Sequence, residues 1–316
     1  TINNRRINKL DFEKKILLKY TGDELDKYRK EYNEMLVNQS KMAHGIVQEK
    51  ILTISVYKQS VEEARSYFSR IGADLSNHFT ALGSRCIELD AKERLRIAHD
   101  FYRTGEETSF SFDIHEHMKL GHDFRDLICP DSAKIRNDYF EIGNRVGRVL
   151  FLKSYASYIK DSMVTELTEL NKNMMLSIDI IPIPLNEAVK EAENRRLGIE
   201  TNITNWQKKQ NANNNFSAII PYDMEIQREQ SKEFLDDLVI RDQRMFLSVI
   251  TMVITEDSME KLKILTDTIE QIAGKHMCQM GTLRYQQLDG LKTALPFGVR
   301  KINDKTERKC HKRLGA

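Results

Sequence analysis

The residues best suited to chemistry stand close together in His115-Glu116-His117-Met118-Lys119-Leu120-Gly121-His122, followed by Asp123. On a strand, His115 and His117 would share a face and could ligate a metal, the basis for reading a metal-dependent enzyme here. The spacing is not His-Glu-x-x-His, and the competing reading is a solvated loop or helix start. A phosphate cradle fails more plainly. The only Gly-Lys pair is Gly274–Lys275; His276 follows where Ser or Thr must hold magnesium, and Ile269 stands where the first glycine belongs. "GNRVG" lies in a hairpin rather than before a helix, so it is no dinucleotide fingerprint, and there is no Gly-x-Ser-x-Gly elbow. A basic–aromatic run remains, "YFEIGNRVGRVLFLKSYASYIK". There Arg145, Arg148, Lys153, Tyr155 and Tyr158 could stack on and follow a single nucleic-acid strand. The alternative is a hairpin with one face in the core and its charges on the other.

These residues must be positioned by elements that the pattern suggests. Glu24–Ala43 lacks Gly and Pro and reads as a charged, exposed helix. "ILTISVY", Ile51–Tyr57, alternates Leu52, Ile54 and Val56 with polar residues and predicts a half-buried strand. Ser60, with Glu63 three residues on, predicts a helix start, followed by a stripe of Val61, Ala64, Phe68, Ile71 and Leu75. The same design returns 198 residues later: Leu52 maps to Ile250, Ser60 to Ser258, Glu62 to Glu260 and Ile71 to Ile269. Both stripes, Phe68 and Ile269 included, are expected to be buried.

Between these two similar strand–helix units lies a hairpin turning at Gly143–Arg145. It is followed by a helix over Tyr158–Leu170 and a strand, Met174–Pro184, that its prolines confine to an edge or terminate. A polar helix follows, interrupted or bent near Gly198 and carrying Trp206, the only Trp; then a loop at Asn211–Asn215 and another helix from Tyr222. Strands and helices mix without strict alternation. The expected class is α+β, with mixed or antiparallel sheets, packed helices and no P-loop core.

Bulk properties narrow the function. Forty-nine Lys and Arg against 47 Asp and Glu argue against a dedicated nucleic-acid binder but leave room for a local basic patch. Cys86, Cys129, Cys278 and Cys310 are too far apart for a metal knuckle and read as reduced thiols. No signal peptide is visible at the start, and the longest apolar run, Met245–Ile254, is too short for a membrane helix.

"NDYFEIGNRVGRVLFLKSYASYIKDSMVTEL", "FLDDLVIRDQRMFLSVITMVIT" and "CQMGTLRYQQLDGLKTALPFG" resemble, in order and spacing, the N-terminal region of the conjugation ATPases of type IV secretion systems. These are the TraC/TrbE/CagE-type motors, and the likeness is nearest to the branch in conjugative elements of Gram-positive bacteria. It covers roughly Glu24 to Gly298. The resemblance implies an N-terminal domain over 1–298, with a first lobe at 24–130 and a second at 131–298. Leu295, Pro296, Phe297 and Gly298 would be the hand-over to a motor core lying further on. Residues 299–316 would be a polar basic tail or the start of a linker, and the chain an N-terminal fragment or a truncated or frame-shifted copy.

It further implies a non-catalytic docking and assembly domain that anchors the motor to membrane-embedded subunits of the conjugation machine, cytoplasmic and peripheral at the cytoplasmic face of the membrane, with self-association in the full-length protein. ATP and Mg belong to the missing core, so no cofactor and no enzyme activity are expected of these residues. A nucleic-acid-contacting module that guides the transferred DNA strand is the alternative.

Overall fold

A computed structural model describes residues 1–302, apart from 8, 43, 44, 157, 214 and 216–218 and the side chains of 9–11. It is α+β and forms two compact units. The first holds residues 1–156, 160–178 and 250–302; the second holds 158–159 and 179–249. This division differs from lobes at 24–130 and 131–298, because the second unit is an insertion between two strands of the first.

The first unit is built on an eight-stranded sheet. Its strands are β1 (Ile2–Arg6), β2 (Ile46–Lys50), β3 (Ala133–Ile135), β4 (Phe140–Ile142), β5 (Arg145–Ser154), β6 (Met174–Pro182), β7 (Phe246–Glu256) and β8 (Gln279–Thr282). The order is β2-β1-β6-β7-β5-β4-β3, and β8 shares with β4 the second edge of β5. The β4–β5 hairpin turns at Gly143, whose φ of 54° is open to glycine without strain, and pairs Ile142 with Arg145.

Alternation on the central strands makes two cores. Val149, Met175 and Val253 face one way and cluster with Phe140, Leu283, Leu291, Ala294, Leu295 and Ile302, against Phe101 and Tyr102. Phe101 and Tyr102 come from α4 (Ala91–Tyr102), Leu291 and Ala294 from α11 (Gln287–Ala294), and Leu295 and Ile302 from the segment after it. Leu150, Leu176, Met252 and Ile254 are fully buried on the other face, toward α7 (Asp161–Thr168) and α10 (Met259–Lys275). On that side Arg148 donates to Thr266 Oγ1 of α10 at 3.1 Å. Buried on both faces, β7 reads as one long apolar run. Gln287 fastens α11 to the sheet: its Oε1 accepts from the Val149 N–H at 2.8 Å.

Several expectations need correction. Leu52–Tyr57 is no strand; the strand is β2, just before it. The reason is pairing rather than propensity. β1 and β2 run antiparallel with Ile2 opposite Lys50, and the ladder closes at Thr1 and Ile51, which exchange two 2.8 Å bonds. The two strand–helix units therefore correspond in their helices alone. Ser60 accepts from Glu63 N–H at 3.1 Å to start α3 (Val61–Ala81), and Ser258 from Lys261 N–H at 3.4 Å to start α10. Even the helices differ in packing: α10 buries Leu262, Leu265, Ile269 and Ala273, whereas α3 buries none of its residues. The Glu24–Ala43 helix forms as α2 (Asp26–Met42).

β6 is no edge strand, since it lies between β1 and β7. Its pairing with β1 ends at Leu176, Pro182 is its last residue, and Pro184 caps the next helix. β1 itself, "INNRR", escapes sequence reading because Asn and Arg are weak strand formers. Its Asn4 is buried and donates to the Thr168 carbonyl at 2.6 Å.

The second unit is dominated by α8 (Leu185–Ala212) and α9 (Tyr222–Val239), packed antiparallel. Ala188, Ala192 and Leu238 form its core with Phe234 and Met245, and Arg228 reaches Glu200 at 2.7 Å. α8 is continuous through Gly198, because one glycine costs a 28-residue helix only about 1 kcal/mol.

Candidate functional site

β5 sorts the basic–aromatic run by face. Arg145 and Arg148 are three residues apart, hence on opposite faces of the strand. Arg145 binds Asp257 at 2.9 Å. Burial pulls the Arg145 guanidinium down, the neighbouring Arg6 adds to this, and Asp257, Glu256 and Glu107 oppose it. Arg148 donates to the Asp138 carbonyl at 3.0 Å and approaches the Asp138 carboxylate at 3.4 Å. Tyr155 is buried and Lys153 exposed; Tyr158 is exposed and belongs to the second unit. The two arginines are thus spent on intramolecular partners, and they do not line up as a stacking track.

The histidine cluster lies on and just after a short helix, α5 (Ile114–Leu120), not on a strand. His115 and His117 therefore point about 200° apart rather than together. The His117 ring packs on Phe112 at 5.2 Å and lies 6.0 Å from His122. His122 Nδ1 is 3.8 Å from Asp126. Among the described residues no group of three or more His, Cys, Asp or Glu is placed to hold a metal.

The Leu295–Gly298 stretch turns back on the first unit. Leu295 is 2% exposed within the core cluster, and Phe297 is 37% exposed. Gly298 has φ +70°, and a Cβ there would run into Ser55 Oγ. Ser55 donates to the Gly298 carbonyl at 2.9 Å, and Thr53 to the Pro296 carbonyl at 3.4 Å. Beyond it, the Lys301 N–H donates to Thr293 Oγ1 at 3.0 Å and Ile302 enters the core. So the packed chain continues past 298. The rest of the expected tail, 303–316, lies outside the described residues, as does Cys310.

One constellation gave no sequence signal, because its members come from three distant elements. Glu49 of β2 accepts a hydrogen bond from Arg96 of α4 and forms an ion pair with Arg5 of β1, each at 2.9 Å. Asp100 pairs with Arg96 at 2.9 Å and lies 3.6 Å from Arg5, with His99 beside it at 3.5 Å. Burial alone would lower the Arg96 guanidinium; Glu49, Glu93 and Asp100 outweigh it, and the net shift is upward. Nearby, burial raises the Tyr102 phenol. With its charges matched in pairs, this network fastens α4 to the sheet edge. Among the described residues, His99, buried beside Asp100, keeps its Nδ1 without a hydrogen-bond partner.

Among the described residues, α3 is a long helix whose apolar stripe is left uncovered. Along its 21 residues Ala64, Tyr67, Ile71, Leu75 and Phe79 are half-buried at helical spacing, while Val61 and Phe68 are exposed. Such a stripe normally faces a core. Here its polar back carries Glu62, Arg65, Arg70 and Asp74. The exposed Leu52 and Tyr57 stand just ahead of it in the chain. No described helix is long and apolar enough to cross a membrane. Compared with models of known families and with curated proteins, the chain gives no match.

Proposed function

We propose that this chain is a non-catalytic docking and assembly domain of a conjugative transfer ATPase, one that holds the motor against membrane-embedded subunits of a type IV secretion machine. The family part of this reading rests on the resemblance of the three blocks ending at Gly298. The docking part is carried by one observation: a 21-residue amphipathic helix, α3, with no residue buried. An apolar stripe of this length left in water favours association, since each large side chain it covers contributes about 1.5–3 kcal/mol when fully buried. The DNA-contacting alternative draws no such support, because Arg145 and Arg148 are already engaged with carboxylates. Localisation at the cytoplasmic face and self-association of the full-length motor belong to the same proposal.

The test is co-expression with the inner-membrane subunits of the machine, followed by affinity capture in detergent. The wild-type chain is retained; an Ile71→Asp/Leu75→Asp double variant is lost, with a melting temperature within about 2 °C of wild type because the stripe is uncovered. Retention of the double variant refutes α3 as the docking surface. Titration with Mg-ATP gives no saturable heat, and a micromolar Kd would refute the non-catalytic reading.

A further inference from the structure

β5 changes neighbour partway along its second edge: β4 pairs with it as far as Gly147, and β8 takes over from Leu150. Beside this parting of the sheet, α10 walls a crevice of about 370 Å³. That volume lies within the range of small-ligand clefts, about 300–1,000 Å³. Arg148 stands at the parting with its side chain 12% exposed. Of the five N–H groups of its guanidinium it donates three, to the Asp138 carbonyl, the Asp138 carboxylate and Thr266 Oγ1, and keeps two. Four more charged side chains line the crevice: Lys263, Asp267 and Glu270 from α10, and Arg284 from just after β8. Among the described residues, none of these four has a side-chain hydrogen bond or ion pair.

We infer that this crevice is a binding site for a short zwitterionic peptide, a di- or tripeptide, with its carboxylate at Arg148, Arg284 and Lys263 and its ammonium at Asp267 and Glu270. Charge sets the class of ligand. Arg148, Lys263 and Arg284 face Asp138, Asp267 and Glu270, so the lining is neutral and suits neither the phosphates of a nucleotide nor a polyamine. A carboxylate can take the two spare N–H groups of Arg148, the geometry in which guanidinium binds best. Position sets the length. Carrying the β5–β8 register on from Leu150–Thr282 puts Arg284 level with Arg148, and Arg148 reaches α10 at Thr266. The cations therefore gather at one level of α10, with Lys263 one turn before it. Asp267 and Glu270 stand four and seven residues beyond Lys263, about 6 and about 10.5 Å along the helix axis. An extended chain spans at most about 3.3–3.6 Å per residue, so the termini of a di- or tripeptide reach that separation and the two charges of a free amino acid fall short of it.

The probe is trialanine, titrated calorimetrically into the whole chain at neutral pH and low salt. Saturable one-to-one binding is expected. N-acetyl-trialanine lacks the ammonium and trialanine amide lacks the carboxylate; each binds at least about tenfold more weakly, the loss expected when a charge-assisted hydrogen bond is removed. Free alanine is weaker by a similar factor. Arg284→Gln loses the preference for trialanine over its amide, and an Asp267→Asn/Glu270→Gln double variant loses the preference over the acetylated peptide. Both variants keep the wild-type melting temperature, because these side chains have no partner among the described residues to lose. Four results overturn the inference: no saturable heat with trialanine, equal binding of the capped peptides, wild-type discrimination in either variant, or a doubly capped acetyl-Lys-Ala-Ala-Glu-amide that binds as tightly as trialanine. The last would reassign the crevice to charged side chains of a partner protein. The readout does not involve α3 or a secretion subunit, so it succeeds or fails apart from the function proposed above.

Discussion

Phe68 and Ile269 hold similar places on two Ser-capped helices, and the structure gives them opposite energetic roles. Ile269 is 0% exposed on α10, and Phe68 is 43% exposed on α3, where nothing is buried. Truncating Ile269 to Ala removes three buried carbons' worth of contact and leaves a cavity between α10 and the sheet. The loss is about 2–5 kcal/mol, the range for large-to-small changes in close-packed interiors. Much of the shielding of Phe68 comes from its own helix, and Ala is the better helix former by several tenths of a kcal/mol. Phe68→Ala is therefore expected within about 0.5 kcal/mol of wild type, of either sign. Urea titration followed by far-UV circular dichroism measures both. At roughly 2–4 °C per kcal/mol the Ile269→Ala melting point falls by about 4–20 °C, while that of Phe68→Ala hardly moves. Equal losses for the two variants would refute the reasoning, because they would mean that α3 is packed in solution.

Gly290→Ala tests close approach of α11 to the sheet. A Cβ there would meet Leu283 Cδ1 at 2.5 Å and Val149 Cγ1 at 2.8 Å, so a loss of about 1–3 kcal/mol is expected despite the gain in helix propensity, and a stabilised variant would contradict the packing. Asp100→Ala strips Arg5 and Arg96 of a 5%-exposed carboxylate; urea denaturation should show a loss of about 2–4 kcal/mol, reduced by adding Arg96→Met, and independent losses would show that the ions do not form one network. Glu166 is held below its ordinary carboxylate value by hydrogen bonds from Lys275, with His276 adding to them. Its folded pKa is depressed, so its contribution is present above about pH 4.5 and is lost as pH falls through the lowered value; Glu166→Gln should flatten stability against pH in that acid window, as thermal melts would show.

Local signals were legible where the chain decides for itself. Ser60 and Ser258 announced α3 and α10 because a cap acts over three residues, and Gly143–Asn144 announced the β4–β5 hairpin because positive φ is a property of one residue. The α+β class followed from the mixture of periods along the chain. Other features required partners distant in sequence. Asn3 and Asn4 form a strand only because β6 and β2 offer backbone groups on either side, and propensity counted against them. Leu52–Tyr57 has a strand's composition and lacks a ladder, since hydrogen bonding across strands needs a second chain segment that periodicity cannot supply. The stripes of Phe68 and Ile269 are alike as patterns. An amphipathic period states that a helix has a face to cover, and only the packed molecule shows that the sheet covers α10 and leaves α3 open. In the same way the residue types of Arg145 and Arg148 allowed a nucleic-acid track. The pleat of β5 then sent them to opposite faces, and Asp257 and Asp138 neutralised them there.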